Sequence, residues 1–507
     1  MARTLCWPAR GTEPMSTIAN ARIPSPTPAL PPARLLLSAA HKSSGKTTIT
    51  LGLAAALSQR GIAVQTFKKG PDYIDPMWLA SASGRACYNL DPYLMSIDEM
   101  LASFARHANG CDLALVEGNK GLYDGLALDG SNSNAALAVA FDLPVVLVLD
   151  ARGMTRGVAP LILGYQAFDR RVRIAGVILN RLGGARHEAK LRAVIEHYTD
   201  VKVLGAVQES LEVAIDERHL GLIPSNEASH AAALIARIGA AVAAQVDLER
   251  VAAAAVTTPL HGVRSLPPER ARAETGSVRI GIARDRAFGF YYSDDLEALS
   301  AAGAELLAFD TLQDTRLPAV DALFIGGGFP EMAAPKLEAN VPLRMQIRKE
   351  IEAGLPVFAE CGGLMYLARS LTVAGRRHAM VGAIAGDVVM HARPVGRGYV
   401  ELEPTGSAQW SVVAASCARI RAHEFHYSAL ENLDPGQRFA YRVLRGHGID
   451  GRHDGLLCHN LIASYSHLRA VGDCDWARRF VEFARSTKKA KSAGIASALR
   501  EQHRVPA

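Results

Sequence analysis

The chain has 507 residues, of which 49% are hydrophobic and 21% charged, and its net charge is +6. This length exceeds one ordinary hydrophobic core and predicts two or three domains, and no apolar run reaches the roughly 18–20 residues of a membrane span. The net positive charge is modest, and the sequence contains no basic stripe with interleaved aromatic residues of the kind that binds nucleic acid. A modest positive charge suits an anionic substrate.

The first 32 residues are rich in proline and have no continuous apolar segment of the kind found in signal peptides. We expect residues 1–32 to form a disordered extension. The seven cysteines are scattered and form neither a disulfide framework nor a C-x-x-C pair, which predicts a protein of the reducing cytoplasm.

Residues 33–240 alternate between strand and helix patterns, and several strands are continuous apolar runs, as in parallel sheets covered on both faces. We predict an α/β fold with a doubly wound parallel sheet here. The predicted strands span 34–40, 64–68, 113–117, 144–150, 174–180 and 203–207.

The first of these strands runs into a small-residue loop that ends in Gly-Lys-Thr and opens a helix over 47–59, which is the context of a phosphate-binding P-loop. Backbone N–H groups would face the phosphates, Lys46 would reach the terminal phosphates, and Thr47 would hold Mg²⁺. Ala40 replaces the first glycine of the pattern, so the turn is expected to be built differently. The predicted nucleotide-binding residues are Ser43, Ser44, Gly45, Lys46, Thr47 and Thr48.

Two polar loops follow strands of the same predicted sheet. Lys69, Asp72 and Asp75 leave the carboxyl end of strand 64–68, where open α/β sheets place ligands. Strand 113–117 ends in Glu117, a Walker-B-like arrangement in which this acid lies beside the metal, and Asp124 follows in a glycine-flanked loop. These residues predict a metal- and phosphate-handling site with Thr47 and Glu117 at the metal.

The strand–helix rhythm is lost over 241–276, which we interpret as a linker, and a second α/β domain is predicted over 277–485. Its strands begin at 278–283, 305–310, 322–328 and 356–360, and later strands at 399–403 and 411–414 resemble edge strands. The final segment, 486–507, is basic and is expected to be a flexible tail.

In this second domain a strand runs into Cys361, which is followed by Gly362-Gly363 and a helix, the pattern of a nucleophile elbow. A helix N-terminus at this turn is expected to lower the pKa of the thiol. Gly327 and Gly328 end a neighbouring strand, and with Gly362 their N–H groups could form an oxyanion hole. The base must be a distant histidine, and the residues alone leave His423, His426, His459 and His467 open.

Together these motifs resemble the cobyrinate a,c-diamide synthase family over about residues 34–485. The family couples an ATP-dependent amide synthase domain to a class-I-type glutamine amidotransferase domain and amidates peripheral carboxylates of a corrinoid. The resemblance implies ATP and Mg²⁺ as cofactors, L-glutamine and an anionic tetrapyrrole as partners, no nucleic acid or membrane, and we expect a homodimer. The strings that carry it are KKGPDYIDP, EGNKGLYDG, GVILNRLGG, ERHLGL, ARDRAFGFYY, GGGFPE, AECGGLMYL and HEFHYS.

By this resemblance Cys361 is the glutaminase nucleophile and His467 activates it, whereas Arg469 stands where related amidotransferases often carry a third triad acid. The resemblance also places Asp72, Asp75, Glu117 and Asp124 in the synthase site. Unusual residues at 40–42, 119–120 and 130–134 resemble a sub-branch proposed to amidate sirohaem, which leaves sirohaem open as an alternative acceptor.

An alternative hypothesis from another functional class is a P-loop ATPase of the partitioning type that uses an inactive amidotransferase-like domain for binding. The intact Cys361 and the GGGFPE string argue against it. The related cobyric acid synthases are disfavoured because DYIDP is characteristic of the a,c-diamide branch.

Overall fold

The computed structural model describes residues 32–210, 215, 217–218, 221–228, 230–260, 278–413 and 418–502. The extension expected at 1–32 lies outside the described residues except for Pro32. Residues 261–276 of the linker expected at 241–276 also lie outside them. Residues 31–507 form one compact unit, which contains both predicted α/β domains.

The first α/β half is built on a parallel sheet of seven described strands in the order β3-β2-β4-β1-β5-β6-β7. Its apolar strands are buried on both faces, as the continuous apolar runs predict. The strands are β1 (Ala33–Ala39), β2 (Val64–Lys69), β3 (Tyr88–Leu90), β4 (Leu113–Glu117), β5 (Val145–Asp150), β6 (Ile174–Leu182) and β7 (Val203–Gln208), followed by the short pair β8 (Glu217–Arg218) and β9 (Gly221–Leu222).

Helices cover both faces of this sheet. The helix after the P-loop is almost wholly buried, because it packs against α7 through close contacts at Gly52 and Gly239. The helices are α1 (Lys46–Gln59), α2 (Ile74–Ser83), α3 (Ile97–Ala108), α4 (Asn134–Ala140), α5 (Val158–Phe168), α6 (Ala185–Tyr198), α7 (Ala231–Gln245) and α8 (Leu248–Ala254).

The second half has a mixed sheet of nine described strands in the order β12-β10-β13-β15-β24-β23-β22-β19-β20, parallel up to β24 and antiparallel beyond it. A smaller sheet has the order β17-β16-β18-β21, and β11 pairs with β14. The strands are β10 (Val278–Ala283), β11 (Phe288–Phe290), β12 (Ala304–Phe309), β13 (Ala322–Ile325), β14 (Gly327–Gly328), β15 (Val357–Glu360), β16 (Ala368–Val373), β17 (Arg376–Ala379), β18 (Ile384–Met390), β19 (Gly396–Pro404), β20 (Ile420–His426), β21 (Ser428–Glu431), β22 (Arg438–Arg445), β23 (His453–Cys458) and β24 (Leu461–Ser464).

The helices of this half are shorter, apart from the last. They are α9 (Ser293–Ala301), α10 (Ala334–Ala339), α11 (Val341–Glu352), α12 (Gly362–Leu367) and α13 (Trp476–Gln502).

Three expectations about the second half and its borders differ from the structure. The expected linker begins inside helix α7, and α8 follows it, because Val242, Leu248 and Val251 are buried against the first sheet. The strand expected at 411–414 is wrong over its described residues 411–413, which form a loop, and β20 provides the partner of β19 instead. The segment expected to be a flexible tail from Ser486 continues helix α13 as far as Gln502.

Candidate active site

The P-loop closes without a glycine at position 40. The left-handed backbone conformations fall instead at Ser43 (φ 64°) and Gly45 (φ 84°). Ala40 holds its place by accepting a hydrogen bond at its carbonyl oxygen from the Tyr165 hydroxyl at 2.5 Å. A Cβ at Gly45 would lie 2.1 Å from Asn180 Nδ2, whose amide donates to Ser44 O, so the loop is packed tightly around its glycine.

Behind the P-loop, Thr47 and the strand-end acid Glu117 meet as predicted. Thr47 Oγ1 donates to Glu117 Oε1 at 2.7 Å and lies 3.3 Å from Asp75 Oδ2. Glu117 is fully buried, and its Oε2 has no hydrogen-bond partner among the described residues. A hydroxyl and a buried carboxylate oxygen are hard ligands of the kind that Mg²⁺ prefers, so these residues fit the implied metal.

Lys68 lies at the centre of the acids and is not among the site residues predicted from the sequence. Its Nζ lies 2.5 Å from Asp75 Oδ2, 2.8 Å from Glu117 Oε1 and 3.8 Å from Asp72 Oδ2. Burial alone would lower the pKa of Lys68, but the charges of Asp75 and Glu117 outweigh this effect and raise it well above its ordinary value. Lys68 could have been identified from the sequence because it is a lysine within a strand predicted to be buried on both faces, where a charged side chain needs a partner of opposite charge.

The remaining predicted synthase residues lie around this cluster on two chain segments, one that follows β2 into α2 and one that follows β4. Asp72 Oδ1 accepts from the N–H groups of Ile74 and Asp75, so it also shapes the start of α2. Asp124 accepts from Gly121 N at 2.8 Å. Lys69 Nζ donates to Asn132 O, and burial lowers the pKa of Lys69 to about 8. Asp72 and Asp75 therefore join the Lys68 cluster, whereas Lys69 and Asp124 belong to its rim.

The amide-rich stretch at 130–134 contains an asparagine that holds two chain segments together. Asn134 Nδ2 donates to Ser38 Oγ, Asn119 O and Gly121 O, and its Oδ1 accepts from Asn119 N. One buried amide thus holds the loop after Glu117 against the first strand, which explains an asparagine here without any substrate contact.

Cys361 occupies the predicted strand-to-helix turn between β15 and α12. Its backbone has φ 48° and ψ −101°, a strained conformation typical of functional turns. The expectation of a lowered thiol pKa is wrong: burial raises the pKa of Cys361, with the Glu331 charge adding to the effect. Helix α12 has only six residues, too few to offset burial of a thiolate, so the thiol needs a base to ionise it.

The three glycines of the predicted oxyanion hole lie together beside Cys361. The Gly362 Cα faces β14, and a Cβ there would come within 2.9 Å of Gly328 N. A Cβ at Gly327 would lie 2.6 Å from His467 Cε1. The role of these N–H groups stays a prediction, but Gly362 lies against Gly328 and Gly327 lies against the imidazole of His467.

Three of the four candidate histidines, His423, His426 and His467, line the same cavity as Cys361, and His459 does not. His467 and His423 exchange backbone hydrogen bonds, and their rings stack with centroids 5.0 Å apart. His426 also lines the cavity, but its Nδ1 donates to Ser428 O and its ring stacks on Tyr465. His459 lies in the turn between β23 and β24, at the opposite end of β24 from His467. His467 follows the carboxyl end of β24, which pairs with β15, the strand that leads into Cys361.

Both sites open into one cavity of about 980 Å³. Its wall includes Lys46, Thr47 and Lys68 at one end and Cys361 and His467 at the other. The parallel strands of the two halves therefore direct their carboxyl ends to a common space. Further cationic side chains line it and would attract an anionic ligand: Lys42, Lys69, Lys120, Arg181, Arg397 and Arg445.

Within the described residues there is no group of three or more His, Cys, Asp or Glu side chains arranged to hold a metal ion by themselves. A magnesium ion held by a nucleotide needs only one or two protein ligands, because phosphates and water supply the others. In the same part of the chain no helix is both long and apolar enough to cross a bilayer.

Comparison with known proteins matches each half separately. Residues 38–223 match the CobQ/CobB/MinD/ParA nucleotide binding domain, and residues 279–473 match the CobB/CobQ-like glutamine amidotransferase domain. These matches confirm the predicted fold class of both halves.

Over nearly the whole chain, three similar proteins are each called cobyrinate a,c-diamide synthase. The protein from Magnetococcus marinus is 47% identical, covering 89% of this chain and 97% of its own. The protein from Methanosarcina acetivorans is 40% identical, covering 89% and 95%. The protein from Listeria monocytogenes serotype 4b is 38% identical, covering 86% and 96%.

Proposed function

The chain belongs to the cobyrinate a,c-diamide synthase family, and on this premise we propose that it uses ATP and glutamine to amidate the a and c carboxylates of cobyrinate. The observation that carries the proposal is the single cavity lined by the P-loop at one end and by Cys361 and His467 at the other. A ligase that makes ammonia in one place and consumes it in another needs such a shared space, because free ammonia is mostly protonated at neutral pH.

At the P-loop end, a carboxylate oxygen of the acceptor attacks the γ-phosphorus of ATP, ADP leaves, and an acyl phosphate forms. Lys46 and the loop N–H groups face the phosphates and balance the negative charge that spreads over the transferred group. Burial lowers the pKa of Lys46, with the neighbouring Lys68 adding to the effect, so phosphate binding there would restore a favourable counter-charge.

Thr47 and Glu117 would hold Mg²⁺ together with the nucleotide phosphates. When bound, the ion would neutralise negative charge on the phosphates. Lys68 keeps Glu117 and Asp75 oriented towards the same point through its two short ion pairs.

At the other end, Cys361 Sγ attacks the side-chain amide carbon of glutamine and forms a thioester while ammonia leaves. His467 takes the thiol proton and returns it to the departing nitrogen, and water then hydrolyses the thioester to glutamate. N–H groups of Gly328 and Gly362 would stabilise the oxyanion formed in both steps. Ammonia crosses the cavity, attacks the acyl phosphate, and displaces phosphate to give the amide.

Arg397 and Arg445 lie on the cavity wall beside aromatic side chains, which suits a flat acceptor with peripheral carboxylates. Arg397 lies over the Phe425 ring, and Arg445 lies over the Tyr93 ring, which stacks on Tyr399 with centroids 4.2 Å apart. We also propose a cytoplasmic location, where ATP and glutamine are supplied together.

The acceptor is tested by incubating the full chain with ATP, Mg²⁺ and glutamine and either cobyrinate or sirohaem, and by counting amides with mass spectrometry. We expect two amides on cobyrinate. Amidation of sirohaem alone would overturn the proposed acceptor while keeping the chemistry, and efficient amidation of cobyrinate alone would exclude the sirohaem alternative.

The Cys361→Ala variant separates the ligase from an ATPase that carries an inactive amidotransferase-like domain. Glutamine-dependent amidation should be lost, whereas amidation with added ammonium chloride should persist, because the P-loop end does not need the thiol. If glutamine-dependent turnover survives without the thiol, the proposed role of Cys361 fails.

A further inference from the structure

His467 needs a group that orients its imidazole, and the residue two positions later cannot be that group. Arg469 is a cation, it is 1% exposed, and its guanidinium donates to Asp294 Oδ2 and Asn89 O. It therefore faces away from the imidazole and joins the two halves of the molecule. In a cysteine–histidine pair the ring nitrogen that does not face the thiol is usually held by a third residue.

Glu360, the residue immediately before Cys361, occupies that position. Its Oε2 lies 3.5 Å from His467 Nδ1, and its Oε1 accepts a hydrogen bond from Leu468 N at 2.8 Å. Both side chains are 3% exposed, and among the described residues His467 Nδ1 has no hydrogen-bond partner. The carboxyl is thus fixed to the backbone next to the histidine while its second oxygen faces the ring, and such contacts often shorten when substrate binds.

The surroundings of Glu360 and His467 suit an imidazolium charge on His467 that forms only during the reaction. Burial raises the pKa of Glu360 to about 8 and lowers the pKa of His467 to about 3. A lone charge on either group is therefore costly at rest. When His467 takes the proton of Cys361, the imidazolium would stabilise an adjacent carboxylate, and the carboxylate would stabilise the imidazolium.

We propose that Glu360, whose carboxyl Oε2 accepts from Nδ1–H, is the positioning residue of His467 and completes a Cys361–His467–Glu360 arrangement. The S–H bond of Cys361 breaks as the Nε2–H bond of His467 forms, and Glu360 keeps Nε2 unprotonated and able to accept beforehand. The acid comes from the nucleophile strand β15 and not from the segment after the histidine. This inference rests on the proposed glutaminase activity.

The test is the nearly isosteric Glu360→Gln variant in the full chain, with glutamine hydrolysis measured alongside ammonia-dependent amidation. The amide has no negative charge and, with its NH₂ towards Nδ1, favours the tautomer whose proton is on Nε2. We expect kcat for glutamine hydrolysis to fall at least about 100-fold with a change in KM below about threefold. Ammonia-dependent amidation should stay within about twofold, which shows that the protein is folded.

Asp454→Asn is the matched control, because Asp454 is also buried and accepts from the N–H groups of Gly455, Tyr465 and Ser466 in this segment. A second readout is ¹⁵N NMR of labelled histidine, in which His467 should change from the Nδ1–H to the Nε2–H tautomer in Glu360→Gln but not in Asp454→Asn.

An unchanged kcat in Glu360→Gln, or equal losses in both variants, would overturn the inference while leaving the proposed function intact. A wild-type chain that hydrolyses no glutamine would overturn the proposed function and this inference with it.

Discussion

Lys68 shows how one buried side chain organises the synthase end of the cavity. Its ammonium group bonds Asp75 and Glu117, two acids that would otherwise repel each other beside the phosphate site. Burial of an ion pair seldom adds net stability over an apolar core, but removal of one partner is costly because the other charge is left buried. Lys68 is therefore needed to keep these acids ionised and aligned.

We predict that Lys68→Met lowers the free energy of unfolding by roughly 3–5 kcal/mol, because it leaves the buried Glu117 and the partly buried Asp75 without their cation. Amidation should be lost even when ammonia replaces glutamine. Urea denaturation and the ammonia-dependent assay measure the two effects.

Arg348→Met is the control for Lys68→Met. Arg348 pairs with Glu352 on the surface of α11, where both side chains are about half exposed. Its loss should change stability by less than about 1 kcal/mol. Equal effects of the two substitutions would contradict the role given to Lys68.

At the scale of elements, two strand–turn–helix units carry the chemistry and differ in how they make their turn. The P-loop between β1 and α1 uses left-handed backbone at Ser43 and Gly45. The elbow between β15 and α12 uses left-handed backbone at Cys361 and the close approach of Gly362 and Gly363 to neighbouring strands. In both units the absence of a Cβ at particular glycines lets the backbone come near another chain segment.

We predict that Gly363→Ala impairs the elbow, because a Cβ there would lie 2.1 Å from the backbone oxygen of Ile325 in β13. The strand or the helix must move, at a cost of about 1–3 kcal/mol, and Cys361 moves with it. Glutamine hydrolysis should fall more than tenfold while ammonia-dependent amidation is kept, which paired assays would show.

Gly164→Ala is the matched control for Gly363→Ala, because Gly164 lies inside helix α5 with open space around it. It should raise the thermal midpoint slightly, since alanine is favoured over glycine in helices by up to about 1 kcal/mol. A Gly363→Ala variant with wild-type glutaminase activity would refute the proposed need for close approach.

At the scale of the whole molecule, side-chain contacts join the two halves around the cavity. The Tyr399 hydroxyl donates to the buried Asp91 at 2.9 Å, linking β19 to the segment after β3. Tyr73, from the loop that carries Asp72 and Asp75, packs against the His467 ring with centroids 5.1 Å apart. Residues of the two halves are thus in direct contact beside the cavity, which suits retention of ammonia within it.

We predict that Tyr399→Phe loosens this joint and lets ammonia escape. The variant should form fewer amides for each glutamine hydrolysed, although each half-reaction alone stays near its wild-type rate. The stability change should be about 1.5–3 kcal/mol, as for a hydrogen bond to a charged group. Parallel measurement of glutamate and amide gives the ratio directly.

Tyr123→Phe serves as the comparison for Tyr399→Phe, because the Tyr123 hydroxyl donates to Tyr165 O within the first half. Its ratio of amide to glutamate should match the wild type. If both variants keep that ratio, the contact between the halves does not govern ammonia transfer.

The sequence by itself determined the elements and the chemistry of their ends. Continuous apolar runs predicted six of the seven described strands of the first sheet to within two residues, because a strand buried on both faces admits few polar side chains. The three-residue strand β3 was not predicted. Gly-Lys-Thr after β1 and Cys-Gly-Gly after β15 identified the two turns. Phosphate binding and an exposed nucleophile each require a tight turn between a strand and a helix.

Only the tertiary structure decided which distant side chains meet. Lys68 and Glu360 lie within the strings KKGPDYIDP and AECGGLMYL, but no spacing in the sequence links them to Glu117 and His467, which are 49 and 107 positions away. The choice among four histidines, the raised pKa of the Cys361 thiol and the common cavity likewise depend on burial and on contacts between strands. These are properties of packing, and no local pattern of residues encodes them.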